Sequence, residues 1–146
     1  MLLKVKKLNE AAVLPQYAHE GDSGFDLVAV KEVVIEAGET KKVPIGLAFD
    51  IPQGYELQIR PRSGITSKTE LRVQLGTVDS GYKGEISAIV DNIANSMIGS
   101  SATVRIGDRI AQGVIAPVIR ATIQESDDVG SSERGTNGFG STGVKA

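Results

Sequence analysis

The stretch Tyr55-Glu56-Leu57-Gln58-Ile59-Arg60, closed on either side by Pro52-Gln53-Gly54 and Pro61-Arg62-Ser63-Gly64, decides the fold class. Its apolar and polar residues alternate strictly. That period of two predicts a strand with Tyr55, Leu57 and Ile59 on one face. Working outward, Val33-Val34-Ile35, Val43 to Ile51, Ile86 to Val90, Thr103 to Ile106 and Ile110 to Val118 read as further strands, rich in branched residues. Gly38, Pro52-Gln53-Gly54 and Gly107-Asp108 read as the turns between them. Turn signals every 8–12 residues or so suggest a sandwich, jelly roll or barrel rather than alternating strands and helices. Only Ser67 to Leu75 carries a marginal helical signal, and no internal repeat is present.

Composition narrows the chemistry. The chain has 146 residues, 16 Lys+Arg, 18 Asp+Glu, one His, and neither Cys nor Trp. The length suits one domain that buries about two-thirds of its unfolded surface without staples. The absence of cysteine excludes disulfides, thiolate metal sites and a Cys nucleophile. A lone His19 excludes a multi-histidine metal site. A net charge of −2 argues against general nucleic-acid binding, which needs a concentrated basic face. No apolar run reaches the roughly 20 residues of a membrane span, and MLLKVKKLNE turns charged too early for a signal peptide. The expectation is a soluble, cytoplasmic protein that binds neither nucleic acid nor membrane.

Polar chemistry gathers in four clusters between the strands. They are Gly21-Asp22-Ser23-Gly24-Phe25-Asp26-Leu27, then Pro61 to Lys68, then Gly76-Thr77-Val78-Asp79-Ser80-Gly81-Tyr82-Lys83-Gly84-Glu85, then Gly107-Asp108-Arg109-Ile110-Ala111-Gln112. An Arg with hydroxyls and a glycine at a strand end, as in Arg62-Ser63-Gly64, is anion-binding chemistry. The third cluster reads as a wide hairpin carrying a carboxylate and a ring. In the fourth, Asp108 and Arg109 read as a turn ion pair. From Glu125 onward the chain turns acidic and then rich in Gly, Ser and Thr, too poor in apolar surface to order itself. Yet Arg134 and Phe139 sit there in a glycine-rich frame. A cation, a ring and many backbone N–H groups suit a lid over a phosphorylated, planar ligand. Residues 1–124 therefore read as a core domain and 125–146 as a flexible C-terminal arm.

Two rival motifs fall away. Asp-Ser-Gly occurs at Asp22 and again at Asp79, but aspartic proteases need two lobes sharing a proton, and bulky Phe25 and Tyr82 follow the triplets here. The tail has no Lys-Ser/Thr after its glycines and is no Walker A loop.

Taken in order, GDSGFDLVA, PRSGITSK, GTVDSGYKGE, GDRIAQ and RGTNGFGSTG closely resemble the five motifs of the trimeric dUTPase family, over nearly the whole chain. The resemblance implies a distorted jelly-roll, β-clip-like protomer. It also implies Mg²⁺-dependent hydrolysis of dUTP to dUMP and pyrophosphate, which keeps uracil out of DNA and supplies dUMP for dTMP synthesis. The implied assembly is a homotrimer in which each active site draws on all three chains.

Motif by motif, the resemblance assigns roles. Asp79 matches the catalytic carboxylate that orients water toward the α-phosphorus, and aspartates as a class are ionised at neutral pH. Gln112 matches the residue near the α-phosphate and that water. Arg62, Ser63 and Gly64 match the phosphate grip. Tyr82 matches the ring that packs on deoxyribose and leaves no room for a 2′-hydroxyl. Uracil would be read by backbone groups near Val73, Gly76, Thr77 and Val78, with Ser87 on the returning strand. Arg134 would reach the γ-phosphate and Phe139 would stack on uracil, with Gly140, Ser141 and Thr142 beside the phosphates. Asp26 matches an acid that helps hold the hydrated Mg²⁺, itself bound mainly by substrate phosphates.

There are departures and alternatives. Asn137 stands where the family has a further glycine, Gly113 where a larger apolar residue is usual, and Thr66 where a small apolar one is. The related dCTP deaminases carry a catalytic Glu at the position of Ile89 here, which leaves deamination without its proton shuttle. A non-catalytic binding module with the same fold is the other alternative, and a further protein partner is compatible with either.

Overall fold

A computed structural model describes residues 1–138. The strands in chain order are β1 (Lys4–Lys7), β2 (Phe25–Val28), β3 (Val33–Ile35), β4 (Thr40–Pro44), β5 (Leu47–Asp50) and β6 (Tyr55–Arg60). A short helix α1 (Ser63–Lys68) follows, then β7 (Leu71–Val73), β8 (Gly76–Asp79), β9 (Ser87–Asn92), β10 (Ala102–Val104) and β11 (Arg109–Pro117). They pair antiparallel in four small sheets, β1-β5, β10-β3, β2-β11-β6-β8 and β4-β9-β7. This is a jelly-roll-like, nearly all-β architecture.

The alternating stretch is the third strand of the largest sheet. Leu57 and Ile59 are buried in the core, while Tyr55 on the same face is partly exposed at the strand's end. β6 pairs with β11 through Gln112↔Arg60 to Pro117↔Tyr55, and with β8 through Ile59↔Gly76 to Glu56↔Asp79. Across the sheets, Leu27, Ile35, Val43, Ile45, Leu47, Phe49, Leu57, Val90 and Ile110 share one apolar core. Its single buried polar side chain among the described residues, Asn92, is satisfied. The amide donates to the Ile35 and Ser100 carbonyls at 2.9 and 3.1 Å and accepts from the Ala94 N–H at 3.1 Å.

The structure corrects two readings of local structure. The run Val43 to Ile51 is two strands rather than one. At Gly46 the chain takes φ +69°, and a Cβ there would meet Asn9 and Val30 side-chain atoms at 2.9 Å, so the bend needs glycine. The helix falls at Ser63–Lys68 rather than Ser67 to Leu75, because Leu71–Val73 is taken up by β9. The third cluster is also less simple than a hairpin. β7 and β9 pair up to the Gln74 N–H, which donates to the Ile89 carbonyl at 2.9 Å, and β8 then diverges to the edge of the other sheet beside β6.

Gly113 has a packing reason. A Cβ there would lie 2.4 Å from Phe25 Cε2 and 3.0 Å from Leu57 Cδ1, so the Phe25 ring occupies the space a larger residue would need. Beyond Pro117, residues 118–138 form no strand, and all are exposed. Among the described residues no helix is long and apolar enough to cross a membrane.

Candidate active site

Two concavities hold the motif residues. The first is a cleft of about 330 Å³ at the end of the large sheet, where β2, β11 and the exit of β6 meet. Asp26, Arg62, Ser63, Gly64 and Gln112 line it, with Asp22, Ser23 and Arg109. The register explains the meeting, since Gln112 lies opposite Asp26 on one side and Arg60 on the other. Arg62 Nε donates to Asp26 Oδ1 at 2.8 Å, and Arg109 Nη1 lies 3.3 Å from Oδ2. Arg62 Nη1 also donates to the Arg109 carbonyl at 3.0 Å, and Gln112 Nε2 to the Pro61 carbonyl at 2.9 Å. Two guanidinium groups are thus held on one half-buried carboxylate. Their remaining N–H donors suit the planar, multidentate binding of phosphate oxygens.

Arg109 departs from the expected turn pair with Asp108. It reaches across the sheet to Asp26 instead, while Asp108 Oδ2 accepts from the Arg105 N–H at 2.8 Å within the turn. Asp108 is turned into its own loop by that bond, and the pairing of β11 with β2 is what brings Arg109 within reach of Asp26.

The second concavity is a groove of about 530 Å³ between the diverging β8 and β9. Gly76, Thr77, Val78, Asp79, Tyr82 and Ser87 line it, together with Gln74 and Glu85. Where the strands separate, backbone groups are no longer committed to a ladder and can face a ligand. The turn after β8 is closed by the Tyr82 N–H donating to the Asp79 carbonyl at 3.0 Å, and the Tyr82 hydroxyl donates to the Glu85 carbonyl at 3.0 Å. Val73 lies outside this groove. It is buried in β7 and paired with Val90, and the groove lining begins with its neighbour Gln74. Ile89, on the groove wall, brings only an alkyl group and supplies no proton.

Arg134 lies in neither concavity. Its Nε donates to the Asn137 carbonyl at 3.0 Å within its own turn. Phe139, Gly140, Ser141 and Thr142 lie outside the described residues.

Groove and cleft share no lining residue. Asp79 sits opposite Glu56, and Glu56 opposite Ala116, four residues along β11 from Gln112. At about 3.4 Å per residue and about 4.8 Å per strand, Asp79 and Gln112 are roughly 17 Å apart on one chain. Sequence reading missed the groove's Gln74 and Glu85 and the cleft's Asp22 and Ser23 as lining residues. The last three stand inside motifs, whereas nothing local marks Gln74.

Donor chemistry for a metal is sparse. Among the described residues no group of three or more His, Asp or Glu could hold an ion. The cleft offers two carboxylates, Asp22 and Asp26, the second already on two arginines. That set fits a cation carried mostly by phosphate oxygens and water, as Mg²⁺ is in many nucleotide sites, and does not fit an all-protein cage.

Fold and site together define a β-protein with an arginine-lined cleft and a separate groove bearing a carboxylate and an aromatic ring. Comparison with known proteins agrees. The sequence model of the dUTPase family matches residues 10–143. The deoxyuridine 5′-triphosphate nucleotidohydrolase of Gloeothece citriformis is 48% identical over 146 residues, covering 99% of this chain and 98% of that one. That of Nautilia profundicola is 46% identical, covering 98% and 99%. A variant dUTPase of Staphylococcus bacteriophage 80alpha, solved with dUpNHpp, superposes with a TM-score of 0.93 at 30% identity, covering 98% of this chain and 99% of its own. A variant from Staphylococcus aureus phage phi11, solved to show the coordination of a structural Mg(II) ion, gives a TM-score of 0.84 at 27% identity, covering 88% and 99%. The chain belongs to the dUTPase family.

Proposed function

We propose that this protein is a dUTP diphosphatase, cleaving dUTP to dUMP and pyrophosphate by water attack at the α-phosphorus. The observation that carries the reading is the pairing of two half-sites. A groove holding Asp79, Tyr82 and diverging backbone suits a nucleoside, and an arginine cleft suits its phosphates. In the groove, backbone groups of Gly76, Thr77 and Val78 with Ser87 read the uracil edge. Fixed donors and acceptors of that kind reject cytosine strongly, because its exocyclic amine leaves them unpaired. The Tyr82 ring stands against the sugar and excludes a 2′-hydroxyl. Asp79 accepts the proton of the attacking water, and Gln112 orients it. Arg62, Ser63 and Gly64 hold the phosphate chain, and charge stabilisation with positioning supplies most of the rate. Mg²⁺ would be held by the phosphate oxygens with Asp26 through water, and would offset the charge that develops on them.

One chain does not close this site on itself, because Asp79 and Gln112 belong to concavities roughly 17 Å apart across two strand steps. The site is accordingly shared in a homotrimer, with the groove of one copy facing the cleft of the next. Residues 1–124 form the core, and residues 125–146 form an arm that closes over a neighbouring site. The arm brings Arg134 to the γ-phosphate, Phe139 to the base, and Gly140 and Ser141 to the phosphates. The setting is the cytoplasm.

Pyrophosphate release from dUTP, with and without EDTA and beside dCTP, dTTP and UTP, tests the proposal. Metal-dependent release from dUTP alone is expected. Ammonia from dCTP, or no turnover of any nucleotide by folded protein, would overturn it.

A further inference from the structure

We propose that Glu85 is a positioning residue. Braced on the Gly46 amide, it sets the Tyr82 ring and thereby the discrimination between deoxyribo- and ribonucleotides. The inference rests on the reading of Tyr82 as the sugar-facing ring. Residues 80–86, which join β8 to β9, belong to no strand, so their hold must come from elsewhere. They are seated on the bend between β4 and β5. The Ile86 N–H donates to the Leu47 carbonyl at 2.8 Å, and the Ile86 carbonyl accepts from the Ile45 N–H at 3.0 Å. Between those two bonds, the Gly46 N–H donates to Glu85 Oε1 at 3.0 Å.

The donor is rigidly mounted. Gly46 has left-handed backbone, close contacts from Asn9, Val30 and Ala12 at 2.9 to 3.1 Å from its would-be Cβ, and a carbonyl that accepts from the Leu8 N–H at 2.8 Å. The Glu85 side chain is therefore fixed at one end, and its own carbonyl holds the Tyr82 hydroxyl at 3.0 Å at the other. The Tyr82 ring lies directly over Gly84, where a Cβ would come within 2.5 Å of the hydroxyl oxygen and 2.6 Å of Cζ. Ring, glycine and glutamate thus form one unit, and Tyr82 and Glu85 both line the groove. On its other flank the loop is held by Lys83 Nζ, which donates to Asp50 Oδ1 at 2.7 Å and to the Ser80 carbonyl at 2.8 Å. A ring that excludes a single hydroxyl must be held to a fraction of an ångström, and this brace is what the structure supplies.

The test compares Glu85→Ala with Glu85→Gln, whose amide oxygen can still accept from Gly46. The readout is kcat/KM for dUTP over that for UTP. The ratio in Glu85→Ala should fall roughly tenfold, the scale of one charge-assisted hydrogen bond, with kcat on dUTP changing less than the ratio. Glu85→Gln should keep most of the parent ratio. An unchanged ratio in Glu85→Ala overturns the proposal, as does a Glu85→Gln variant as permissive as Glu85→Ala. Should Glu85→Ala fail to fold, Tyr82→Phe carries the same expectation, since it removes only the hydroxyl that Glu85 holds. Amide hydrogen exchange without nucleotide reads the brace separately. Gly46 should exchange faster in Glu85→Ala than in the parent, and equal rates overturn the brace. A parent protein that does not turn over dUTP would instead overturn the functional reading, while Gly46 exchange still decides the brace.

Discussion

The cleft and the groove, two strand steps apart on the same molecule, are built on opposite principles. The cleft lies at the paired end of a four-stranded sheet, and its side chains are cross-linked to one another. Arg62 and Arg109 converge on Asp26, Arg62 also bonds the Arg109 carbonyl, and Gln112 bonds the Pro61 carbonyl. The groove lies where strands part, and its order comes from a loop seated on a distant bend. On the proposed function, the first would grip the phosphates that every nucleoside triphosphate carries, and the second would take the base and sugar that differ between them. Grip and selectivity would then rest on separate structural elements, each needing the other to make a site.

The sharpest break in that comparison is Asp79→Asn. It should leave nucleotide affinity near the parent value while slowing turnover by at least about 10²-fold, the scale of one general base. Single-turnover rates and equilibrium binding of a non-hydrolysable dUTP analogue would show the split. Turnover at the parent rate would remove Asp79 from the base role. Ending the chain at Ser132 comes next. It removes Arg134 and the glycine-rich stretch but no core residue, so a folded oligomer with a parent-like Tm and roughly 10²-fold lower activity is expected. Full activity would show the tail to be no lid.

These two changes bear on what could be read from the chain. The chemistry-bearing clusters were legible because they stand in the turns and strand ends between apolar runs, each as a contiguous motif. Strand β6 was legible because alternation maps directly onto two faces. The Gly46 bend was not, since Val43 to Ile51 is uniformly strand-like and the bend is imposed by Asn9, Ala12 and Val30 crowding from elsewhere. Nor was the Arg109–Asp26 pair, which exists only because β11 runs beside β2. The helix over Ser63–Lys68 lies where local signal was weak and tertiary pairing of Leu71–Val73 took the residues expected of it. In each case a long-range contact overrode local preference.

Smaller effects sharpen the comparison further. Gly113→Ala strikes the strand beneath the cleft, where its Cβ would collide with the Phe25 ring. A loss of about 1–3 kcal/mol is expected from denaturant unfolding, the range for overpacking, with base and sugar selectivity unchanged because the groove is untouched. Altered selectivity would show that the two halves are mechanically coupled. Asp50→Asn should act least. The hydrogen bond from Lys83 holds the Asp50 carboxyl below its ordinary range, with the Lys83 charge adding to this. A carboxylate depressed in the folded state stabilises above its unfolded pKa and ceases to do so as acid takes it through the folded value. Thermal melting of parent and Asp50→Asn should therefore differ slightly at pH 7 and converge in strong acid. As an exposed pair its effect on turnover at neutral pH should stay within about fivefold.

The most direct test of a site assembled between copies is subunit mixing. Asp79→Asn, defective in the groove, and Arg62→Ala, defective in the cleft, would be purified separately, unfolded, mixed in equal amounts and refolded together. If groove and cleft come from different copies, about a quarter of the sites in a random closed assembly receive two intact halves. Pyrophosphate release from dUTP should then rise well above that of either variant refolded alone. Mixed assemblies that form, by mass, yet stay at the level of the separate variants would contradict the shared site.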